Sequence, residues 1–324
     1  MRSFLMFTLL AAALLGAALQ QPTAQYRSSG AVRDIVADNG NLYSATDASC
    51  IDVFDMKIGK LIQKITVEKI TDFMGDVSDS TVYSVDVLHG KVVLLSQAEH
   101  GFRRVHLYQN GKTELLIPSS DQLYIAKVRF LDDNTLLLGL LGSEIVSYDI
   151  ENKKENWRVK VSQSKFSDLM LNEKKDQVVI ADESGALKIH RTKDGSWIRS
   201  LAGQNLDNVF QVDYKNGIIA TAGQDRRVVI YDIAASTAYY KTAPFLIYSV
   251  GLSPSGKIVG FASDEYNNVT LFDTSTQETL GRFGGNKMTL TNILFLNEKE
   301  FLVSSGDTMI NLYQVKGEVN HGVQ

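Results

Sequence analysis

Histidine is the residue of this sequence best suited to metal binding or acid–base chemistry. His89, His100, His106 and His190 lie in the body of the chain, and His321 lies near its end. No pair of them has the spacing to Cys or carboxylate partners that zinc sites require. The sequence also contains no Gly-x-Ser-x-Gly elbow, phosphate-binding loop or His-Glu-x-x-His helix. We therefore predict no catalytic residue, no metal ion and no cofactor.

The paired acids and the single cysteine do not indicate catalysis either. Asp182-Glu183 and Asp264-Glu265 are adjacent acids in polar turns. A glycosidase needs two carboxyl groups that face each other across a cleft, and neighbouring turn residues do not ensure this. The single cysteine, Cys50, excludes an internal disulfide, so burial must stabilise the fold. We predict that Cys50 is a small core residue and not a reactive thiol.

The N-terminus is typical of an exported protein. Arg2 is followed by the uncharged apolar run 4–19, which has the length of a signal-peptide core and is short for a membrane span. Small residues favour cleavage after Ala18, so we predict a signal peptide over residues 1–18 and a periplasmic mature protein. An uncleaved N-terminal anchor is the alternative.

Composition limits the kinds of partner. The net charge is −4, and Lys and Arg form no block along the chain. This argues against binding to nucleic acid or to a membrane surface. With 44% apolar and 22% charged residues the chain can bury a large core, and no linker divides it. We predict a monomer.

A repeat positions these side chains. Each unit closes on an apolar run that ends in an aromatic residue or its equivalent, and between Tyr108 and Tyr313 this position recurs every 40 to 42 residues. The seven positions are Phe54, Tyr108, Tyr148, His190, Tyr231, Phe272 and Tyr313. The longer first step, 54 residues, indicates an insertion around residues 66–81. Four short strands at this period are typical of a propeller blade. The sequence thus predicts an all-β, seven-bladed β-propeller over residues 19–316, with a tail at 317–324.

The ring also needs to be closed. The seventh unit ends near Lys316, after its third strand. Without a fourth strand the edge of that blade would stay open. Residues 23–28 lie upstream of the first unit, and we predict that they supply the missing strand.

The repeat resembles a known family. Residues 222–225 (Ala-Gly-Gln-Asp) lead to 230–232 (Ile-Tyr-Asp), and this strand–turn–strand pattern resembles the WD40-type propeller. The Trp-Asp of that family is Tyr-Asp or Phe-Asp here, and its Gly-His pair is missing. Trp157 and Trp197 are instead similar to the motif of quinoprotein-like outer-membrane assembly propellers, which would imply eight units and a lipidated N-terminus.

The turns between second and third strands and the insertion are the best candidates for a partner-binding surface. Those turns are expected on the same face as the connections between blades. The candidates are Arg103, Arg104, Asp182, Glu183, Gln224, Arg226, Asp264, Glu265 and Tyr266 in the turns, with Phe73 and Met74 in the insertion. Turn acids also cap backbone amides, which is the role predicted for Asp47, Asp225 and Asp307. Arg and Tyr are enriched at interfaces, whereas Phe73 and Met74 form either an exposed apolar patch or a plug in the ring.

A complete ring without a catalytic constellation predicts an exported, non-catalytic scaffold that docks a protein partner. The signal peptide, the single ring and the Tyr-Asp repeats resemble the L-type accessory proteins of periplasmic nitrate reductase operons in epsilonproteobacteria. That resemblance implies a role in maturation or support of periplasmic nitrate reduction, with a partner in the nitrate reductase system. An enzyme, either a metal-dependent lactonase or a quinoprotein-like dehydrogenase, is the alternative. It requires acids or histidines from several blades at the axis, where we expect mostly Ala, Ser, Val and Ile.

Overall fold

A computed structural model describes residues 18–71 and 74–315, and its strands form a seven-bladed β-propeller. Two short strands come first, β1 (Leu19–Gln20) and β2 (Ala24–Arg27). Blade 1 contains β3 (Val32–Asp38), β4 (Asn41–Thr46), β5 (Cys50–Asp55) and β6 (Lys60–Thr66). The hairpin β7 (Ile70–Thr71) and β8 (Val77–Ser78) follows. Blade 2 contains β9 (Val82–Leu88), β10 (Lys91–Gln97), β11 (Arg103–Gln109) and β12 (Lys112–Ile117).

The next three blades repeat this plan. Blade 3 contains β13 (Ile125–Asp132), β14 (Thr135–Leu140), β15 (Glu144–Asp149) and β16 (Lys154–Lys160). Blade 4 contains β17 (Phe166–Leu171), β18 (Gln177–Asp182), β19 (Leu187–Arg191) and β20 (Trp197–Leu201). Blade 5 contains β21 (Val209–Lys215), β22 (Ile218–Gly223), β23 (Arg227–Asp232) and β24 (Thr237–Thr242).

The last two blades each take a strand from the N-terminus. Blade 6 contains β25 (Val250–Leu252), β26 (Ile258–Ala262), β27 (Val269–Asp273) and β28 (Thr279–Phe283). Blade 7 contains β29 (Leu290–Phe295), β30 (Glu300–Ser305) and β31 (Met309–Gln314). Two 3₁₀ turns, Glu99–Gly101 and Ser119–Asp121, lie outside the sheets. In the ranges given above, no helix is long and apolar enough to cross a membrane.

The predicted closure of the ring is confirmed. Strand β2 pairs antiparallel with β31, with Tyr26 opposite Ile310. Thr23 N and Ser28 N extend the pairing through hydrogen bonds to Leu312 O and Thr308 O, both 2.8 Å long. The sequence did not predict the second N-terminal strand, β1, which pairs parallel with the outer strand β28 of blade 6.

The predicted insertion is also present. Its hairpin, β7–β8, lies between the last strand of blade 1 and the first strand of blade 2. Asp79 anchors it by accepting a 2.9 Å hydrogen bond from Ser49 Oγ and pairing with Lys69 Nζ at 3.0 Å. The predicted signal peptide, except Ala18, and the predicted tail lie outside the described residues.

Apolar side chains fill the spaces between blades. Val93, Leu95 and Val105 of blade 2 share one cluster with Val128 and Phe130 of blade 3. Strands buried on both faces read as near-continuous apolar runs, which explains why the sequence shows little alternation. The small residues of the second strands lie in these layers, as Ala220 and Ala222 do between blades 5 and 6.

Candidate protein-binding face

One face of the ring carries the turns predicted to bind a partner. Backbone hydrogen bonds join these turns to the connections between blades, as in Gln224 N to Asn208 O at 2.8 Å and Gly306 N to Thr289 O at 3.0 Å. Both sets of loops therefore lie on the same side, as predicted. We call this side the connection face.

Four predicted residues lie in the turns of two neighbouring blades on this face. Gln224 and Arg226 occupy the turn of blade 5, Glu265 and Tyr266 occupy the turn of blade 6, and all four are exposed. Tyr266 is 71% exposed, which is unusual for so large a side chain in a folded protein. Asp264, the fifth, instead stabilises its own turn by accepting from Tyr266 N at 3.0 Å.

Exposed apolar side chains extend this cluster. Leu206, Phe245 and Met288 lie on the three successive blade connections from blade 4 to blade 7, and Leu206 is 68% exposed. We call Leu206, Gln224, Arg226, Phe245, Glu265, Tyr266 and Met288 the blade 5–6 sector.

Hydrogen bonds connect the loops of the sector. Leu206 N donates to Asp225 Oδ2 at 2.8 Å, and Ala243 N donates to Arg226 O at 2.9 Å. Asn286 Nδ2 reaches Asn267 O at 3.0 Å, which links the turn of blade 6 to the following connection. Each turn of the sector is therefore tied to a neighbouring blade connection.

Aromatic rings and balanced charge characterise the sector. Phe210 stacks on Tyr248 with ring centroids 5.1 Å apart, and Phe245 packs against Tyr248 at 6.3 Å. Within the sector, exposed Arg226 and Glu265 carry opposite charges, and exposed Asp207 and Lys287 lie next to Leu206 and Met288 in the chain. Such a surface suits the apolar core and polar rim of a protein interface.

The opposite face is different. In the described ranges, Ile58 is the one large apolar side chain exposed on its turns; the other exposed ones lie on outer strands, on β1, in the insertion or on the connection face. The apolar exposure of the two faces is therefore strongly unequal.

Arg103 and Arg104 do not join the sector, because they belong to blade 2. Arg104 is buried and donates to Glu68 O at 3.1 Å and to Gln97 O at 3.0 Å. Arg103 stacks over the Tyr83 ring at 4.1 Å. Both arginines were predicted as partner-binding candidates; in the structure Arg104 holds the insertion to the turn of blade 2, and Arg103 packs on Tyr83 within blade 2.

The insertion itself is partly described. Met74 and Val77 are exposed, which favours the apolar-patch alternative for Met74 over the plug. Phe73 lies outside the described residues.

Asp182 has a structural role. Its carboxylate is fully buried and accepts hydrogen bonds from Lys188 Nζ at 2.6 Å and from Ser184 N at 2.8 Å. Glu183, next to it, is exposed on blade 4. Asp225 and Asp307 cap their own turns as predicted, accepting from Arg227 N at 3.1 Å and from Thr308 N at 2.7 Å, whereas Asp47 accepts from Ala31 N of the preceding connection.

The buried ion pair of Asp182 and Lys188 predicts how the stability of the protein changes at acid pH. Burial raises the pKa of Asp182, but the hydrogen bonds from Lys188 and Ser184 outweigh burial and the net pKa is lowered. An acid with a lowered folded pKa stabilises the protein above its unfolded pKa, and this stability is lost as pH falls through the folded pKa. We expect Asp182→Asn to cost about 2 kcal/mol at pH 7, with the difference from the wild type shrinking below pH 4, in urea melts across pH. An unchanged difference from pH 7 to pH 3 would contradict this assignment.

The axis differs from our expectation. The first strands of all seven blades line a cavity of about 280 Å³ there, with charged residues that include Asp34, Asp86, Lys127 and Arg129. The prediction of mainly Ala, Ser, Val and Ile at the axis was wrong, because the small residues belong to the second strands, which pack between blades.

The acids near the axis already accept hydrogen bonds from the protein itself. Asp34 accepts from Val85 N at 3.1 Å, Asp168 from Val212 N at 3.0 Å and Asp213 from Leu252 N at 2.8 Å. In each case the carboxylate of one blade binds the backbone of the next. In the described part of the chain, no group of three or more His, Cys, Asp or Glu residues could hold a metal ion.

Basic residues complete this axial network. Arg129 Nη2 donates to Asp34 Oδ2 at 3.1 Å, and Lys127 Nζ donates to Asp168 Oδ1. The axial charges thus act chiefly as links between blades. A sequence signal existed: an acid inside an apolar first strand, repeated at Asp34, Asp86, Asp168 and Asp213.

The protein is a seven-bladed β-propeller whose loops expose large apolar side chains mainly on the connection face. No protein-family model matches the chain, and no curated protein matches it in sequence.

Proposed function

We propose that this protein is a non-catalytic scaffold that docks a protein partner on the blade 5–6 sector. The observation that carries the proposal is the concentration of exposed Leu206, Phe245, Tyr266 and Met288 on one braced face. Exposed apolar patches rimmed by polar residues mark protein-interaction sites. The balanced charge of the sector favours a protein surface over an anionic polymer.

The cellular setting is part of the same proposal. The apolar run 4–19 with its preceding Arg2 supports export to the periplasm. The resemblance to L-type accessory proteins supports a partner in the periplasmic nitrate reduction system. The outer-membrane assembly alternative implied eight units, and the ring has seven, so we do not pursue it. The enzyme alternative gains no support from the axial acids, which bind backbone amides and basic side chains.

Capture experiments test the docking surface. We expect immobilised mature protein to retain a periplasmic partner, and the double variant Phe245→Ala/Tyr266→Ala to retain it at least about tenfold less, because aromatic anchors each contribute upward of about 1 kcal/mol to such interfaces. Quantitative mass spectrometry of periplasmic eluates measures the loss and identifies nitrate reductase components if they are the partner.

Ile58→Ala is the matched control, because Ile58 is an exposed apolar residue on the opposite face. Both proteins should keep the wild-type melting temperature within a few degrees. If the double variant retains the partner as well as the Ile58→Ala control does, the docking face is misassigned. If the wild-type protein captures no protein above an empty matrix, the scaffold proposal fails.

A further inference from the structure

The cavity at the axis extends to the face opposite the connection face. Its lining includes the last residues of first strands, such as Lys215 and Phe295. It also includes Glu173 and Lys175 from the turn after β17. First strands begin at the blade connections and end at the opposite face, so the cavity is reached from the side away from the blade 5–6 sector. The volume of about 280 Å³ is roughly nine times the share of one water molecule in the liquid, which suits a molecule of about ten non-hydrogen atoms.

Two opposite charges meet at one peptide of the cavity wall. Phe130, on the first strand of blade 3, donates from its N to Asp86 Oδ2 at 2.7 Å, and its O accepts from Lys175 Nζ at 2.8 Å. A residue in an antiparallel pair directs both backbone groups either to the partner strand or away from it. Both groups of Phe130 therefore point to the free edge of β13. Asp86 and Lys175 lie beside each other at this edge, although they come from blades 2 and 4.

Both side chains retain accessible surface and bonding capacity. Asp86 and Lys175 are half-buried, and both line the cavity. An ammonium has three donors and a carboxylate has about four acceptor positions, so the bonds to Phe130 use only part of each group. Burial raises the pKa of Asp86, and the charges of Arg129 and Lys175 oppose this rise. In the described ranges, however, Asp86 and Lys175 form no ion pair with each other, so neither charge is neutralised by direct contact with the other.

Another part of the wall is apolar. Val36, Met170 and Leu294 line the cavity from blades 1, 4 and 7, and all three are half-buried. Covering their remaining surface with an apolar group is favourable. Small-molecule sites typically combine such walls with a few polar groups that fix the orientation of the ligand. We propose that the axial cavity binds a free α-amino acid of leucine or methionine size, with its ammonium on Asp86 and its carboxylate on Lys175. The side chain of the ligand would cover Val36, Met170 and Leu294.

The charges of the cavity favour a zwitterion over a ligand with net charge. Arg129 pairs with Asp34 at 3.1 Å, and Lys127 pairs with Asp168, so these bases are already matched. The other charged residues of the lining carry both signs, and they are Asp86, Glu173, Asp213, Lys175 and Lys215. An anion without an ammonium would leave the acids unmatched, and a cation without a carboxylate would leave the lysines unmatched.

Titration calorimetry with matched ligands tests the proposal. We expect the mature protein to bind L-leucine and L-methionine saturably. N-acetyl-leucine lacks the ammonium and leucinamide lacks the carboxylate, so each should bind at least about tenfold more weakly, the loss expected for one hydrogen bond to a charged group. Glycine should also bind at least about tenfold more weakly, because it has no side chain to cover the apolar wall.

Variants assign the two ends of the ligand. Asp86→Asn keeps an acceptor for Phe130 N but removes the charge, so the preference for leucine over N-acetyl-leucine should fall by about tenfold. Lys175→Gln should instead reduce the preference for leucine over leucinamide by a similar factor. A purely structural role of either residue would change neither preference. Lys174→Gln, at the exposed neighbouring position of the same turn, is the matched control and should bind leucine as the wild type does.

The ligand series on the wild type decides the outcome even if a variant fails to fold. The proposal is overturned if neither leucine nor methionine binds, or if either capped ligand binds as tightly as leucine. It is also overturned if folded Asp86→Asn and Lys175→Gln keep both preferences. Because the cavity is reached from the opposite face, this outcome is independent of partner capture on the blade 5–6 sector.

Discussion

Replacing Tyr26 with alanine is expected to lower the free energy of unfolding by about 3–5 kcal/mol, the usual cost of deleting a buried aromatic side chain. Tyr26 is the buried residue of strand β2, 3% exposed, and its ring packs against Phe54 of blade 1 with centroids 5.6 Å apart. The same residue pairs with Ile310 of blade 7. It therefore joins the first and last blades at the point where the ring closes. Chemical denaturation of the mature protein measures the loss.

Arg27→Ala is the matched control for this closure. Arg27 is the next residue on the same strand, pairs with Met309 and is exposed. Its substitution should change the free energy of unfolding by less than about 0.5 kcal/mol, as is usual at the surface. A Tyr26→Ala protein as stable as Arg27→Ala would show that β2 does not hold the ring together. An early partial transition in the Tyr26 variant alone would locate the opening at blades 1 and 7.

The fold was predictable because its signals repeat. An aromatic residue at Tyr108, Tyr231 or Tyr313 is weak evidence alone, but a constant spacing across units fixes the strand count and hence the ring. Closure by residues 23–28 followed from counting strands in the last unit. Strand β1 was not predictable, because two residues, Leu19 and Gln20, carry no periodicity and their partner lies more than 250 residues away.

The site was predictable only in part. Turn residues such as Arg226 and Tyr266 could be placed on one face from the fold alone. Whether an arginine in such a turn is exposed depends on long-range neighbours: Arg104 is buried because the insertion returns Glu68 to it. The apolar members Leu206 and Met288 lie in blade connections, where the sequence shows no repeated pattern. Their exposure could therefore be seen only in the three-dimensional structure.

Replacing Arg129 with methionine is expected to cost about 3–5 kcal/mol, the usual result of removing one member of a buried ion pair. Arg129 of blade 3 pairs with Asp34 of blade 1 with both side chains nearly buried, and its Nη1 also donates to Ser84 Oγ at 2.8 Å and to Val85 O at 3.0 Å in blade 2 between them. Methionine fills most of the volume but leaves the Asp34 carboxylate without its cation. The loss should therefore reflect charge and hydrogen bonding and not a cavity.

The pH dependence of the stability loss and a control substitution in an exposed ion pair distinguish the loss of the buried charge from general destabilisation. Burial raises the pKa of Asp86, and the charge of Arg129 opposes that rise. Without Arg129 the folded pKa of Asp86 rises further above its unfolded value, so the penalty is full above the folded pKa and disappears below the unfolded one. The difference between Arg129→Met and wild type should accordingly shrink as pH falls from 7 toward 4. Arg33→Met, which removes the exposed Arg33–Asp47 pair at 3.2 Å, should cost less than about 1 kcal/mol. Equal losses for the two variants, or a loss for Arg129→Met that does not vary with pH, would mean that the axial charges do not link the blades.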